Sequence, residues 1–368
     1  MNKEKKTATG KQGGGILSGL LLLVIGIGVL WYNEGRTVKT QGAINEARRN
    51  YTDIEVDEID SKYDGKLVAT KGKLDITEAS RLVDEKFGIS ASAAKMKRVV
   101  EMYQWKEKCE TDEDDNKNCT YEKVWDEQLI DSSEFNKAGY TNPVAMPYDS
   151  EVYIASNVRL GAFVLPDELI NSLSYDKKVS EDVIASSYKN NVDGIVAKGA
   201  YLTNVKDDNP EVGNVRISYS YLDSVNVSVM AVQNGNSFEA FTSKNGKDVY
   251  KIMKGSYTGA QILEKMTKSN NTLKWVLRIV GIIVIISAFG SMFSFINNIA
   301  SKIPILGSVV TGATGLISAV LGICVSFIVI ALAWFRFRPL LSIILIVIVI
   351  ALVLCLKMKV FDKVMKKK

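Results

Sequence analysis

The residues best suited to covalent chemistry are two cysteines, Cys109 and Cys119, which flank the acidic stretch 110–118. The segments on either side, 99–106 and 120–125, have the residue pattern of strands. A disulfide across the base of this loop fits an oxidising compartment, and closing the short ring would contribute about 2–3 kcal/mol. We predict this disulfide, with two unrelated thiols as the alternative. The pair is not a zinc site without further ligands, because the chain has no histidine.

The absence of histidine excludes Ser-His-Asp and Cys-His catalysis and histidine-ligated metals. No phosphate-binding, nucleophile-elbow or dinucleotide-binding glycine motif stands in the required context. We therefore predict no catalytic, cofactor-binding or metal-binding residue and no cofactor. An all-carboxylate hydrolase is the remaining enzymatic alternative, although no pair of acids stands out. The acidic run 112–116 lacks the EF-hand glycine and final glutamate, so we interpret it as a solvated hairpin tip.

Four apolar runs predict membrane-spanning helices at 16–32, 273–296, 305–335 and 340–356. The first follows a basic stretch, as the apolar part of a signal peptide does. It lacks a small-residue cleavage motif and ends in Trp31-Tyr32, an aromatic pair typical of the membrane interface, so we predict an uncleaved anchor. The third run is longer than the hydrocarbon core, which leaves a tilted, bent or partly re-entrant helix open. Cys324 and Cys355 lie in apolar runs and are interpreted as packing residues.

Residues 33–272 are expected to form a soluble, β-rich α+β domain. Strand alternation is clear at 215–221 and 225–232, and the short break between them predicts that these two strands pair. Asn-Gly pairs at 234–235 and 245–246 predict hairpin turns. Further strands are expected at 65–74 and 192–203, and helices at 42–51, 166–174, 180–189 and 256–269. The predicted fold class is a membrane protein with four transmembrane helices, one N-terminal and three C-terminal, and this domain between the first and second.

The charges are segregated along the chain. The formal net charge is +5, yet nearly all acids lie in the soluble domain and the excess of basic residues lies at the edges of apolar runs, which argues against a nucleic-acid partner. The head 1–15 and the tail 357–368 are basic, so the positive-inside rule predicts that both are cytoplasmic. The soluble domain is then extracytoplasmic or lumenal. Arg336 and Arg338 fall on the far side, against the rule, in a very short turn.

Small residues within the spans predict faces where helices pack closely. They are Gly15, Gly19 and Gly26 in the first helix and Gly312, Gly315, Ala319 and Gly322 in the third. These faces serve either packing within the chain or self-association. No aspartate or glutamate occurs in any predicted span, which argues against a proton-coupled carrier and leaves a passive pore open.

Five motifs in order resemble the LUMA family, also called transmembrane protein 43. They are W-Y-N-E-G-R (31–36), K-R-V-V-E-M-Y-Q-W (97–105), N-P-V-A-M-P (142–147), V-G-N-V-R-I-S-Y (212–219) and F-R-P-L-L (337–341). The resemblance covers about residues 16–356 and implies multi-pass proteins of the endoplasmic reticulum and inner nuclear membrane that organise membrane protein complexes, with lamins and emerin as partners. Bacterial members also exist. The Lys/Asn/Ile-rich composition is typical of an AT-rich microbial genome, and in such a host the nuclear role does not carry over.

We therefore expect a non-enzymatic multi-pass membrane scaffold, as the resemblance implies. Its expected partners are membrane lipids and other membrane proteins, with a homo-oligomer as a further option. The expected location is the cell membrane in a bacterium and the endoplasmic reticulum or inner nuclear membrane in a eukaryote. A channel or pore subunit is the alternative, and a carboxylate-based enzyme is less favoured.

Overall fold

A computed structural model describes residues 12–111, 117–189, 192–300 and 307–344. The chain divides into two compact units. The helical unit comprises Met1–Arg48, Thr242–Lys247 and Leu263–Lys368. The sheet unit comprises Arg49–Phe241 and Asp248–Ile262.

Three long helices carry the apolar runs: α1 (Gln12–Asn50), α4 (Gly259–Ala300) and α5 (Gly307–Phe337). Each contains a stretch long and apolar enough to cross a membrane, at Ile16–Asn50, Gly259–Phe293 and Thr314–Phe337. The first three predicted spans are therefore confirmed among the described residues. The chain is again helical at 339–344, and the remainder of the predicted fourth span, 340–356, lies outside the described residues, as does the basic tail.

Helix α1 is longer than its apolar run. It has 39 residues, which is about 58 Å at 1.5 Å per residue and exceeds a hydrocarbon core of about 30 Å. The predicted anchor at 16–32 and the predicted helix at 42–51 thus belong to one continuous helix. No proline interrupts the stretch between them, so nothing in the sequence stops the helix where the apolar residues end.

The helical unit packs around a small apolar centre formed by Leu30, Ile285, Val329 and Ile330. Many other large apolar side chains of these helices are exposed, including Leu17 at 70% and Leu316 at 69%. Such surface is unfavourable in water and suits contact with lipid chains.

The sheet unit holds short helices α2 (Asp167–Ser172) and α3 (Glu181–Ser187) and most of the strands. The strands are β1 Thr52–Asp53, β2 Leu67–Asp75, β3 Leu82–Asp84, β4 Ile89–Ala91, β5 Lys95–Thr111, β6 Lys117–Asp126, β7 Glu151–Ile154, β8 Arg159–Leu160, β9 Phe163–Val164, β10 Lys177–Lys178, β11 Val196–Lys198, β12 Tyr201–Thr203, β13 Val215–Leu222, β14 Asn226–Asn234, β15 Ser237–Glu239, β16 Phe241–Thr242, β17 Asp248–Val249 and β18 Lys251–Lys254.

Two seven-stranded sheets organise this unit. One has the order β15-β14-β2-β8-β9, with β1 beside β2 and β18 beside β14. The other has the order β11-β12-β13-β5-β6, with β10 beside β13 and β7 beside β5. Side chains of both sheets, such as Val229 of β14 and Ile217 of β13, belong to one buried apolar cluster. The predicted β-rich α+β domain is therefore confirmed.

The predicted pairing of 215–221 with 225–232 is wrong. Strand β13 pairs with β5 and β12, whereas β14 pairs with β2, β15 and β18 in the other sheet. The backbone amide of Ala94 donates to Leu222 O at 2.8 Å, and that of Leu74 donates to Val225 O at 2.9 Å. The break between the two strands is therefore a crossing from one sheet to the other, where a hairpin was expected.

The predicted turns and helix starts are confirmed by local geometry. The glycines of both predicted turns lie in the left-handed region: Gly235, between β14 and β15, has φ of +57°, and Gly246, between β16 and β17, has φ of +75°. Helix α2 follows Pro166 and helix α3 follows Ser180, each with two acids in its first turn. Those acids interact favourably with the helix dipole.

Candidate functional site

The most distinctive polar site of the helical unit surrounds Glu34, a fully buried carboxylate on α1. The Nε and Nη2 atoms of Arg278, on α4, lie 2.7 Å and 2.6 Å from the Oε1 atom of Glu34. Trp334 of α5 donates from Nε1 to Oε2 at 3.0 Å, and Arg338 lies 3.8 Å from the same oxygen. We call these four residues the Glu34 cluster. It joins three helical segments through one carboxylate.

Two guanidinium groups in the Glu34 cluster also lie near indole rings. The guanidinium carbon of Arg278 lies 5.0 Å from the ring centre of Trp275 and 5.9 Å from that of Trp334. Arg338 lies 5.8 Å from the same Trp334 ring. The rings attract the cations and exclude water, which strengthens the ion pair with Glu34.

A seam of buried polar side chains continues from the cluster along α1 and α4. Asn33 donates from Nδ2 to Lys274 O at 2.9 Å. Arg36 donates to Asn270 Oδ1 at 2.9 Å, and Asn270 donates back to Thr37 O at 3.1 Å. These contacts fix the rotation of α1 against α4, because a hydrogen-bonded side chain that turned away would leave a buried group unpaired.

Chemically, the cluster is suited to holding helices together. Its carboxylate is fully buried and already receives an ion pair and a hydrogen bond, so it does not meet the requirement of a general base to reach a substrate proton. Burying a charge is costly unless it is paired, so each member depends on the others. Sequence reasoning missed this site because it searched for acids inside the apolar runs, and Glu34 lies just beyond the first run. The W-Y-N-E-G-R motif was the available signal.

The family model described as Transmembrane protein 43 matches residues 102–339. This chain belongs to the Transmembrane protein 43 family. It is similar to Transmembrane protein 43 of Homo sapiens (25% identical over 352 residues, covering 90% of this chain and 86% of the relative).

Other relatives give the same result. Transmembrane protein 43 of Rattus norvegicus is 26% identical with the same coverage, and the Drosophila melanogaster homolog is 24% identical, covering 89% of each chain. No solved structure matches. The family resemblance of the sequence motifs is confirmed, and the protein is an integral, multi-pass membrane protein of a family that is not a known enzyme family.

The predicted disulfide is present in this Transmembrane protein 43 family member. Cys109 and Cys119 are directly opposite in the β5–β6 hairpin and are joined. Glu107 lies close enough to form a three-ligand group with the two sulfurs. Sulfurs joined to each other are not thiolate ligands, so this group does not constitute a metal centre.

The small residues proposed for helix packing occupy different environments. A Cβ added at Gly19 or Gly26 would come within 2.6 Å of Met292 or 2.5 Å of Ile285 on α4, and one at Gly322 within 2.6 Å of Ile286. Gly315 faces open space and Ala319 is half-buried. Gly15 and Gly312 lie in helices, and their surroundings fall outside the described residues. Self-association through these faces stays a prediction.

A second buried ionic network lies in the sheet unit. Arg98 of β5 forms an ion pair with Asp84 at 2.6 Å and donates to Tyr153 Oη at 2.9 Å. Tyr219 of β13 donates to the same Asp84 carboxylate at 2.8 Å. Burial, together with the Asp84 charge, raises the pKa of Tyr219, which keeps its hydroxyl protonated as a donor. This network ties β3, β5 and β13 together inside the core.

Lys95 is a further buried charge in the same unit, with 2% exposure. Its ammonium group donates to Asn171 O at 2.8 Å and to Leu173 O, both at the C-terminal end of α2. Burial lowers the pKa of this lysine, with a smaller contribution from Lys254. The carbonyl groups at a helix end carry partial negative charge, which explains how a lysine is accommodated there.

Proposed function

We propose that the protein is a non-enzymatic membrane scaffold that organises membrane protein complexes. The Glu34 cluster carries this proposal, because it uses a costly buried charge to fix the arrangement of three helical segments. A fixed helical platform with lipid-exposed apolar faces is suited to lateral assembly with other membrane proteins. Membership of the Transmembrane protein 43 family supports the membrane location that this proposal requires.

The test compares partner capture by three forms of the full chain. Wild-type protein, Glu34→Gln and the control Glu264→Gln, which alters an exposed acid of α4, are crosslinked in native membranes and purified after gentle solubilisation. We expect wild type and the control to retain crosslinked membrane proteins or further copies of the chain. We expect Glu34→Gln to retain fewer at equal abundance. A strictly monomeric wild-type protein without crosslinked neighbours would contradict the proposal.

We further propose that both termini are cytoplasmic and that the sheet unit lies outside the cytoplasm or in a lumen. The Cys109–Cys119 disulfide supports this orientation, because structural disulfides persist mainly in oxidising compartments. The test fuses a cleavable tag to each terminus and measures whether added protease reaches it in sealed vesicles of known sidedness. Cleavage of the two tags from opposite sides would refute the orientation.

The channel alternative differs in a measurable property. A pore subunit reconstituted in planar bilayers would give single-channel currents, whereas the scaffold is expected to give none. Reproducible currents that disappear in Glu34→Gln protein and persist in the Glu264→Gln control would favour the channel.

A further inference from the structure

A cavity of about 450 Å³ lies beside α1 at the end of its apolar run, and all its lining residues belong to the helical unit. One part of its wall is aromatic: Trp31 of α1 and Phe337 of α5 meet edge to face, with ring centres 5.8 Å apart. The wall also carries three cations, Arg36, Lys39 and Lys247, and no acidic side chain is among its lining residues. The cavity wall therefore combines aromatic surface with positive charge.

The loop residues 245–247, which line the cavity, are held against α1 by hydrogen bonds. Asn245 donates from Nδ2 to Lys39 O at 2.8 Å, and the amide of Lys244 donates to Glu46 at 3.0 Å. Gly42 permits this approach, because a Cβ there would lie 2.6 Å from the Asn245 side chain. These hydrogen bonds to α1 thus position Lys247 next to the cavity.

One of the three cations, Arg36, is fixed in position by neighbouring side chains. Arg36 binds Asn270 and Thr37 through its two terminal nitrogens, at 2.9 and 3.1 Å, while its buried Nε atom has no hydrogen-bond partner among the described residues. The half-buried guanidinium is therefore fixed at the wall of the cavity, where its positive charge attracts an anionic group, while the buried Nε atom itself has no surface open to a ligand.

The location indicates the class of ligand. Trp31 and Tyr32 end the apolar run, and such aromatic residues sit at the level of lipid headgroups. Exposed apolar side chains of the same helix, such as Leu21 and Val24, precede them on the membrane side. A molecule that fills the cavity there needs an anionic group for the cations and apolar chains for the adjacent helix surface.

We propose that this cavity binds the phosphate-bearing headgroup of an anionic membrane phospholipid. The phosphate lies among Arg36, Lys39 and Lys247, and the glycerol and upper acyl chains contact Trp31 and Phe337. A volume of about 450 Å³ falls within the range of small-molecule sites, about 300–1,000 Å³. The site is independent of the scaffold proposal, since lipid binding and partner capture are measured separately.

The test uses the full chain purified in a neutral detergent and native mass spectrometry with defined additions. The additions are phosphatidylglycerol, phosphatidylcholine and inorganic phosphate, each at the same concentration. We expect retention of one phosphatidylglycerol, much weaker retention of phosphatidylcholine, and no displacement by equimolar phosphate. Equal retention of both lipids would refute the claim that the cavity recognises the negative charge of the headgroup. Displacement by equimolar phosphate would reassign the site to the free anion.

Two variants test the location. The double variant Lys39→Gln, Lys247→Gln removes two charges, and we expect about a fivefold weakening of binding per lysine, since each basic residue near an anionic group contributes about 1 kcal/mol. The control Lys265→Gln, Lys268→Gln removes two exposed charges from α4 and should bind as wild type. Equal binding by the double variant and the control would refute the site.

The second variant, Gly28→Leu, places an apolar side chain in the cavity and narrows it without altering a charge. Gly28 lines the cavity, and a Cβ there would meet nothing within 4 Å, so the helix tolerates the change. We expect an unchanged melting temperature and loss of phosphatidylglycerol retention. Wild-type retention in folded Gly28→Leu protein would show that the lipid binds elsewhere.

Discussion

Replacing Glu34 with glutamine tests the ion cluster most directly. The change keeps the side-chain volume but removes the charge that pairs with Arg278 at 2.6 Å and lies 3.8 Å from Arg338. Removing one partner of a buried ion pair costs about 3–5 kcal/mol, because the remaining charge stays buried. Glutamine can still accept a hydrogen bond from Trp334. We therefore expect the unfolding free energy to fall by about 3 kcal/mol, the lower end of this range.

The structure supplies a local reporter for the measurement. Trp275 and Trp334 both lie against Arg278, so their fluorescence reports on the packing of the cluster during unfolding in mixed micelles. The control Glu264→Gln alters an exposed acid on α4 and should change the unfolding free energy by less than about 0.5 kcal/mol. Equal stability of Glu34→Gln and this control would refute the account of the cluster.

A double variant separates the ion pair from simple loss of packing. Arg278→Met alone leaves Glu34 with one distant cation, and we expect a loss of about 3–5 kcal/mol. Glu34→Leu combined with Arg278→Met removes both charges, and Arg338, whose side chain is 23% exposed, can turn toward water. The double variant should therefore recover most of the stability, because apolar pairs often replace buried ion pairs without loss. Additive losses in the double variant would contradict the proposed coupling.

Three further predictions concern the remaining elements. Cys119→Ser should lower the unfolding free energy of the sheet unit by about 2–3 kcal/mol through the freed loop, measured by urea unfolding, and reductant should have no further effect on the variant. Gly322→Val should destabilise the helices by about 1–3 kcal/mol, because the added Cβ lies 2.6 Å from Ile286, whereas Gly315→Val in open space should change thermal unfolding little. Burial raises the pKa of Tyr219 above the usual value of about 10, so its contribution is complete below that pH and falls as the pH rises beyond it. Tyr219→Phe should therefore reduce the loss of unfolding free energy between pH 9 and pH 11, and an unchanged alkaline slope would contradict this role.

Features encoded within a short stretch of sequence were predictable. The apolar runs, the Asn-Gly turns and the helix starts at Pro166 and Ser180 depend on neighbouring residues, and the structure confirms them. The Cys109–Cys119 disulfide is local in the same sense, since its partners face each other across one hairpin. The family assignment also followed from ordered local motifs, and the family match confirms it.

Features that depend on distant partners were not predictable. Strand alternation at 215–221 indicates that one face is buried but does not specify which strand lies beside it, so the predicted pairing of 215–221 with 225–232 was wrong. Glu34 and Arg278 are 244 positions apart, and nothing local to either residue specifies the other. From sequence, a single charged residue next to an apolar run is interpreted as solvated. Only the packed structure shows that a second helix supplies the opposite charge.

The position of the Glu34 cluster explains why a buried charge is tolerated there and why it fixes one arrangement of the helices. A carboxylate at the centre of a bilayer is very costly, whereas one just beyond the apolar run of α1 lies where water and headgroups are near during insertion. Once the helices pack, Glu34 becomes fully buried, and its ion pair acts in a medium of low dielectric constant. Any rotation of α1 by one residue would separate Glu34 from Arg278 and Trp334 together. The cluster therefore selects a single helix arrangement, which is the property that the proposed scaffold requires.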